Sequence, residues 1–294
     1  LARAELAEAL GLHSVWVPEM HFRPGAMASP LLALAAVAAR TRRIRLGTTS
    51  LLLPIHHPMR IAEEVAALDV LSGGRVELGL GRGFAPAMLR TFGVAASEKR
   101  DLFDQFLDAI LAAWSDVGPE ECGPRPALRP LQRPHPPLCV AAFGNKGLLQ
   151  AARRGLPYLA SPLETLDVLC ENHRFHRAAL PAEVDPSSLG VAVMRTVFVA
   201  RTESRAGEVR AALEAESARP GRGLPPALAR AAAGGVEERA LVGTASQVMD
   251  LVGHYRERLG MDLLILRGEV AGVAPEEEAE SLTQLATEIV PSAA

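Results

Sequence analysis

Apolar and polar positions along the chain switch between two periods, and the switch is clearest from Ile44 to Gly83. Ile44 to Leu53 is a mostly apolar run ending at Pro54, which predicts a strand covered on both faces. Pro58 suits the first position of a helix, where a missing N–H costs nothing. Ile61, Val65, Leu68 and Leu71 then recur at helical spacing, with Arg60, Glu63, Glu64 and Asp69 on other faces. Ser72-Gly73-Gly74 ends that helix, and Arg75 to Leu80 is a second strand running into Gly81-Arg82-Gly83. Strand, helix and strand of this size make one right-handed βαβ unit.

The same alternation extends in both directions. Leu1 to Leu10 reads as an amphipathic helix stopped at Gly11, and Ser14 to Val17 as a short strand. Ser29-Pro30 caps a helix reaching about Arg40. A loop holding Phe84 and Phe92 leads to a helix capped by Ser97, with Phe103, Phe106, Leu107, Ile110 and Trp114 on its apolar side. Asp116 to Leu138 carries seven prolines and reads as an irregular surface excursion. Strands follow at Leu138 to Phe143, Tyr158 to Ala160, Val191 to Ala200 and Leu263 to Leu266. Helices cover Leu148 to Arg154, Glu164 to Ala179 and a stretch from Glu203. Arg219 to Gly235, rich in Gly, Pro, Arg and Ala, reads as a mobile loop and a candidate lid. Thr244 and Gln247 form a capping box, and Pro275 with three glutamates opens the last helix.

This pattern contains seven strands, each followed by a helix, with no second core. A (β/α)₈ barrel needs eight strands, while a doubly wound open sheet is the alternative that periodicity leaves open. A hydrophobic content of 49% with only 4% aromatic builds the core from Ala, Leu and Val. A net charge of −3 gives no electrostatic case for nucleic acid or an anionic membrane, and no apolar run is long enough to span a bilayer. Cys122, Cys139 and Cys170 are widely spaced and fit reduced thiols of a cytoplasmic protein. Lys99 and Lys146 are the only lysines, so any single arginine says less than usual.

Candidate chemistry gathers at the strand ends. Gly79, Gly81 and Gly83 strip one edge of a strand, and Arg82 stands among them. A planar ligand near bare backbone with an anionic tail on Arg82 explains the pattern; a bend with a surface ion pair explains it too. Arg100, in the first turn of a helix, adds charge to a helix N-terminus. His56-His57 precede a helix-starting proline and read as packing or substrate-lining groups, not metal ligands. His173 and His176 lie three apart and read as a solvated face.

SVWVPEMHF (Ser14 to Phe22), LGTTSLLLPIHHPMRIAEEVAALDVLSGGRVELGLGRG (Leu46 to Gly83), ARRGLP (Ala152 to Pro157) and VGTASQV (Val242 to Val248) together resemble the luciferase-like, flavin-dependent monooxygenases, above all the bacterial luciferase branch. The resemblance implies a single α/β domain, a (β/α)₈ TIM-type barrel over residues 1–294, with its first strand just upstream of Leu1. It implies reduced FMN from a separate flavin reductase, O₂, a small organic substrate and a dimer. A hydride-transferring oxidoreductase using the deazaflavin coenzyme F420 is the same-fold alternative, and a non-catalytic flavin-binding partner subunit the other. Arg82 and Arg100 match arginines holding the flavin phosphate, within a cofactor set of Glu19, Thr49, Ser50, Gly81, Gly83, Phe84, Gly144 and Gly147. Thr49-Ser50 matches a non-prolyl cis peptide behind the isoalloxazine ring. The catalytic position is occupied by Met20 in place of the family's histidine, leaving His21 beside it. Gly81 replaces a reactive cysteine, Phe143-Gly144 a Glu-Ser pair, and Gly147 a phosphate-binding threonine, leaving the Gly144 to Gly147 backbone N–H groups as a thinner cradle.

Overall fold

In the computed structural model the described residues are 1–115, 126–217, 229–230, 234–267 and 269–289. They form two compact units, Leu1–Ala141 and Ala142–Ala294. Most of the expected loop from Arg219 to Gly235 (219–228 and 231–233) lies outside the described residues, as does Cys122.

The first unit runs α1 (Ala2–Ala9), β1 (Ser14–Val17), α2 (Pro30–Arg40), β2 (Arg45–Leu52), α3 (Pro58–Ser72), β3 (Val76–Gly81), α4 (Pro86–Thr91), α5 (Lys99–Trp114) and β4 (Leu138–Ala141). β1 pairs with β2, β2 with β3 and β3 with β4, all parallel. Every carboxyl end therefore opens on the same edge of the sheet. α4 was read from sequence as loop, since six residues around one buried leucine carry no visible period. α5 starts at Lys99 after Glu98, not after a Ser97 cap.

Two buried polar clasps hold these elements. The Arg75 guanidinium donates to the carbonyls of Ser72, Ile44, Ala38 and Thr41 and to Thr41 Oγ1, tying α2, β2 and the end of α3 together. The Asp69 carboxylate accepts from Gln132 Nε2 at 2.7 Å, the Gln132 N–H at 3.0 Å and the Val76 N–H at 3.4 Å. Asp69 is thus fully buried and Leu71 exposed, the reverse of the expected helix face. Helix period alone misses this, because the Gln132 partner comes from a distant irregular segment. The Glu8 carboxylate caps the turn before β2 by accepting from the N–H groups of Ile44, Arg43 and Arg42, which pulls its pKa down to about 2.

The second unit runs α6 (Asn145–Ala152), β5 (Tyr158–Leu159), α7 (Leu166–Ala178), β6 (Ala192–Val199), α8 (Glu203–Ser217), β7 (Ala240–Gly243), α9 (Ala245–Leu259), β8 (Leu263–Arg267) and α10 (Pro275–Gln284). β6 is flanked in parallel by β7 along Thr196–Val199 and by β8 along Ala192–Thr196. The described residues thus hold eight strands, not seven. β7 escaped the pattern because its four residues run straight into the Thr244–Gln247 cap, where the Thr244 N–H donates to Gln247 Oε1 at 2.9 Å. Among the described residues β1 hydrogen-bonds to β2 alone, and β8 to β6 alone.

The core of this unit is partly polar. Arg195 on β6 is fully buried and donates to Tyr255 Oη at 2.8 Å and to the Glu164 carbonyl at 2.8 Å. The Glu164 carboxylate accepts from the Ser161 N–H at 2.8 Å and Asn172 Nδ2 at 2.7 Å. Burial pushes its pKa up to about 7 despite those bonds and the nearby Arg195 charge. His173 and His176, expected on a solvated face, instead pack on Tyr158 at ring distances of 4.7 and 5.3 Å. His176 Nε2 donates to the Leu156 carbonyl at 2.9 Å, and burial lowers the pKa of both imidazoles, His173 to about 4.

The raised Glu164 pKa sets a sign. The folded state holds this proton more tightly than the unfolded chain, so the contribution is complete below the ordinary carboxylate pKa and is lost as pH rises through about 7. Glu164→Gln keeps a similar shape without titrating. Urea unfolding of wild type and Glu164→Gln across pH 4 to 8 should show their stability difference moving in the variant's favour as pH rises, most steeply between about 4.5 and 7. A pH-independent difference would contradict the assignment.

Candidate active site

The candidate site of the first unit is built at the carboxyl ends of β1, β2 and β3. After β1 the chain turns through Pro18, and the Glu19 N–H donates to the Ser50 carbonyl at 3.3 Å. Glu19 is buried, and its carboxylate is the hub of the strand ends. Oε2 accepts the Leu52 N–H at 2.7 Å. Oε1 lies 2.9 Å from His21 Nε2 and 2.8 Å from His56 Nε2. His56, read from sequence as a packing or substrate-lining group, is therefore joined to the Glu19 pair. The signal that could have found it is weak: two adjacent histidines after a strand-ending proline, one of which must face back over the strand ends.

Met20 and His21 point to different environments, as successive residues of an extended segment do. Met20 is 41% exposed. The His21 ring packs against Phe92 at 4.8 Å and Phe22 at 5.7 Å, and those two phenylalanines lie 5.8 Å apart. Phe22 has φ of 58° and is 68% exposed, so a large ring is held in an unusual backbone conformation without being buried.

At the end of β2 the ladder slips by one residue between Thr49 and Leu51, leaving Ser50 as the extra residue. The Thr49–Ser50 peptide is cis, the geometry that the resemblance implies for these two positions. The slip turns the Ser50 side chain over β3. A Cβ added to Gly81 would sit 2.1 Å from Ser50 Oγ and 3.1 Å from Leu52 Cδ2. The glycine therefore makes room for Ser50, and the bare edge read from sequence is, at Gly81, already filled by a neighbouring strand. Gly47 is bare for the same kind of reason, with the Trp16 indole 2.3 Å from where its Cβ would be.

Arg82 follows Gly81. It is half-buried, donates through Nη2 to the Ala141 carbonyl, and lies 5.8 Å from the Phe103 ring centroid on α5. Burial, then the like charge of Arg100, brings its pKa down to about 10, with Asp104 acting the other way. Lys99 Nζ donates to the Gly83 carbonyl at 3.0 Å, and its pKa falls through burial and through Arg100 and Arg82. Arg82, Lys99 and Arg100 thus form one cationic cluster at the start of α5. Lys99 is the member that sequence reasoning passed over, although its being one of two lysines was the available signal. Gly83 has φ of +69°, which suits glycine, and Phe84 beyond it is 38% exposed.

Gly144 and Gly147 belong to the second unit. Gly144, φ 70°, precedes α6, and Gly147 lies buried in its first turn. The Gly147 N–H donates to the Gly144 carbonyl at 3.0 Å, so this donor of the expected phosphate cradle is spent inside the turn. Among the described residues no group of three His, Cys, Asp or Glu side chains is arranged to hold a metal ion. No helix among them is long and apolar enough to cross a membrane.

Residues 1–262 match the model of the luciferase-like monooxygenase family. The oxygenase component of the flavin-dependent trigonelline monooxygenase of Acinetobacter baylyi is 29% identical over 213 residues, which cover 69% of this chain and 59% of that protein. More generally, the chain spans about half the length of the curated relatives it matches. Among solved structures, a monooxygenase from Streptomyces bottropensis is 28% identical with a TM-score of 0.79, covering 100% of this chain and 92% of the other. The oxygenating constituent of the Pseudomonas putida 3,6-diketocamphane monooxygenase, solved with FMN, has the same TM-score at 21% identity, covering 99% of this chain and 91% of that one. The two solved structures match over all or nearly all of the chain and place it in the α/β barrel fold class.

The fit of Ser50 against Gly81 is open to a double-mutant cycle. Gly81→Ala should cost about 1–3 kcal/mol in urea unfolding, the usual range for overpacking. In a Ser50→Gly background the same change should cost much less, because the clashing hydroxymethyl is gone. Equal costs in the two backgrounds would mean that Gly81 is required for some other reason.

Proposed function

The chain belongs to the luciferase-like monooxygenase family, and from that premise we propose that it is an oxygenase that takes reduced FMN from a separate flavin reductase and uses O₂ to oxidise a small organic substrate. The observation that carries this reading is the cationic cluster of Arg82, Lys99 and Arg100, one residue beyond the Gly81–Ser50 contact and the cis Thr49–Ser50 peptide. Burial lowers the pKa of Arg82 and of Lys99, the charge of Arg100 adds to both shifts, and a phosphate is an anion suited to such a crowd of cations. The A. baylyi relative is a flavin-dependent oxygenase component and the P. putida neighbour was solved with FMN, which supports the cofactor class and the reductase.

Reduced flavin, when bound, supplies the electrons that activate O₂. The chain's own residues do the rest. Arg82, Lys99 and Arg100 hold the phosphate, Arg82 being pre-aimed by the Ala141 carbonyl and the Phe103 ring. Ser50, turned outward by the slip in β2, forms the floor of the site with Gly81. Glu19 orients His21 by accepting its Nε2–H, which leaves Nδ1 of the neutral ring as the base. Phe22, Phe92, Met20 and Met27, all exposed by more than a third, present an apolar wall that suits an apolar or aromatic substrate.

The phosphate contacts can be read directly by titrating the protein with FMN and with riboflavin, which differ only in the phosphate. Charge-assisted hydrogen bonds of this kind contribute about 1.5–3 kcal/mol, or roughly ten- to a hundredfold in Kd. Arg82→Ala, Lys99→Ala and Arg100→Ala should each weaken FMN by that order and leave riboflavin nearly unchanged. Equal losses for the two ligands would reduce the cluster to a structural role, and tight binding of the deazaflavin in place of FMN would move the protein to hydride transfer.

A further inference from the structure

The Glu19 carboxylate serves two histidines with one oxygen. Oε1 is 2.9 Å from His21 Nε2 and 2.8 Å from His56 Nε2, while Oε2 is occupied by the Leu52 N–H. A carboxylate only accepts, so each imidazole presents a protonated Nε2 to it and keeps its lone pair at Nδ1 when neutral. The two rings differ in access. The His21 side chain is 9% exposed and enclosed by Phe22 and Phe92, whereas that of His56, on the turn before α3, is 28% exposed. The titratable groups facing His56 are Glu19 and, across the shared oxygen, His21; His57 is its chain neighbour. Met20, between Glu19 and His21, carries a thioether that neither titrates nor donates a proton.

We propose that His56 is a second acid–base residue of this site, coupled to His21 through the shared Glu19 carboxylate, and that the pair handles the protons that Met20 has no group to handle. The reaction it serves rests on the flavin oxygenase reading; the coupling of the three residues does not. The proton bookkeeping closes on the rings themselves. A proton taken up at Nδ1 of either ring gives an imidazolium whose Nε2–H already faces Glu19 Oε1, and its release from the same Nδ1 restores the starting state. Because one oxygen serves both rings, charge on one is felt by the other. His21 meets the enclosed side of the site and His56 the more open side, so the pair offers one sheltered proton position and one within reach of solvent.

Two measurements test this. The first needs no cofactor: ¹⁵N-edited spectra of the histidine rings across the pH range, on the full chain, in wild type, His56→Ala and His56→Asn. The wild type should show the neutral Nε2–H form at both rings, with each ring's curve registering protonation of the other. His56→Ala should leave His21 with a single-step curve. Independent single-step curves in the wild type would overturn the coupling. The second measures H₂O₂ released per O₂ consumed with reduced FMN. His56→Ala should raise the uncoupled fraction about tenfold or more, with FMN affinity unchanged, and added imidazole should restore coupling. His56→Asn keeps an N–H for Glu19 but cannot titrate, so it should stay uncoupled. Wild-type coupling in His56→Ala, or recovery in His56→Asn without imidazole, would overturn the proposal. If the wild type consumes no reduced FMN at all, the oxygenase reading fails, and the ring spectra alone still decide the coupling.

Discussion

One buried carboxylate sets the geometry of the strand ends. A charged oxygen pair taken out of water must be met by donors on both oxygens, or its burial costs more than the fold can absorb. Glu19 meets that demand with a backbone N–H from the last residue of β2 and two imidazoles, one from its own segment and one from the turn before α3. The same residue's N–H donates to the Ser50 carbonyl. The segment after β1, the end of β2 and the approach to α3 are therefore registered against one another by a single side chain, and the histidines' orientation is a by-product of satisfying it.

Close packing supplies the second constraint. With Trp16 over Gly47 and Ser50 over Gly81, the faces of β2 and β3 near their carboxyl ends have no spare room, so any side chain added there must displace another. Arg82 follows at once, and its guanidinium donates to the Ala141 carbonyl and lies against the Phe103 face. Arginine suits this role because its planar fork stacks and bonds at the same time, while Lys99 reaches the Gly83 carbonyl as a compact point charge.

Much of this was legible in the residues and some was not, for identifiable reasons. The βαβ unit from Arg45 to Gly81 was readable because its apolar run, Pro58 and Gly73-Gly74 all point to the same local structure. Strand β7 was not, because four residues merging into a helix cap show no period of their own. Arg82 and Arg100 stand out in the sequence by their place at a strand end and a helix start. The bonds of Lys99 to Gly83 and of His56 to Glu19 do not, because they join residues too far apart for spacing to show. The pair His173 and His176 was misread since helical spacing says which face two residues share, not what covers it; Tyr158 does.

The two units handle buried charge in opposite ways, and the contrast bears on function. In the second, Arg195 is wrapped by carbonyls and the Tyr255 hydroxyl, and Glu164 satisfies its own oxygens through Ser161 and Asn172; neither group reaches the surface. That is a closed network, suited to holding strands and indifferent to solutes. In the first, Glu19 is equally buried but passes its influence outward through two rings, one of them open to solvent at its edge. The cations stand at a helix start, and the apolar residues beside them remain exposed. A buried carboxylate whose partners lead to the surface is joined to what binds there; Glu164 titrates, but its partners are a backbone N–H and a fixed amide. The proposed acid–base chemistry therefore belongs to the strand ends of Leu1–Ala141, where the partners of the buried carboxylate reach the surface.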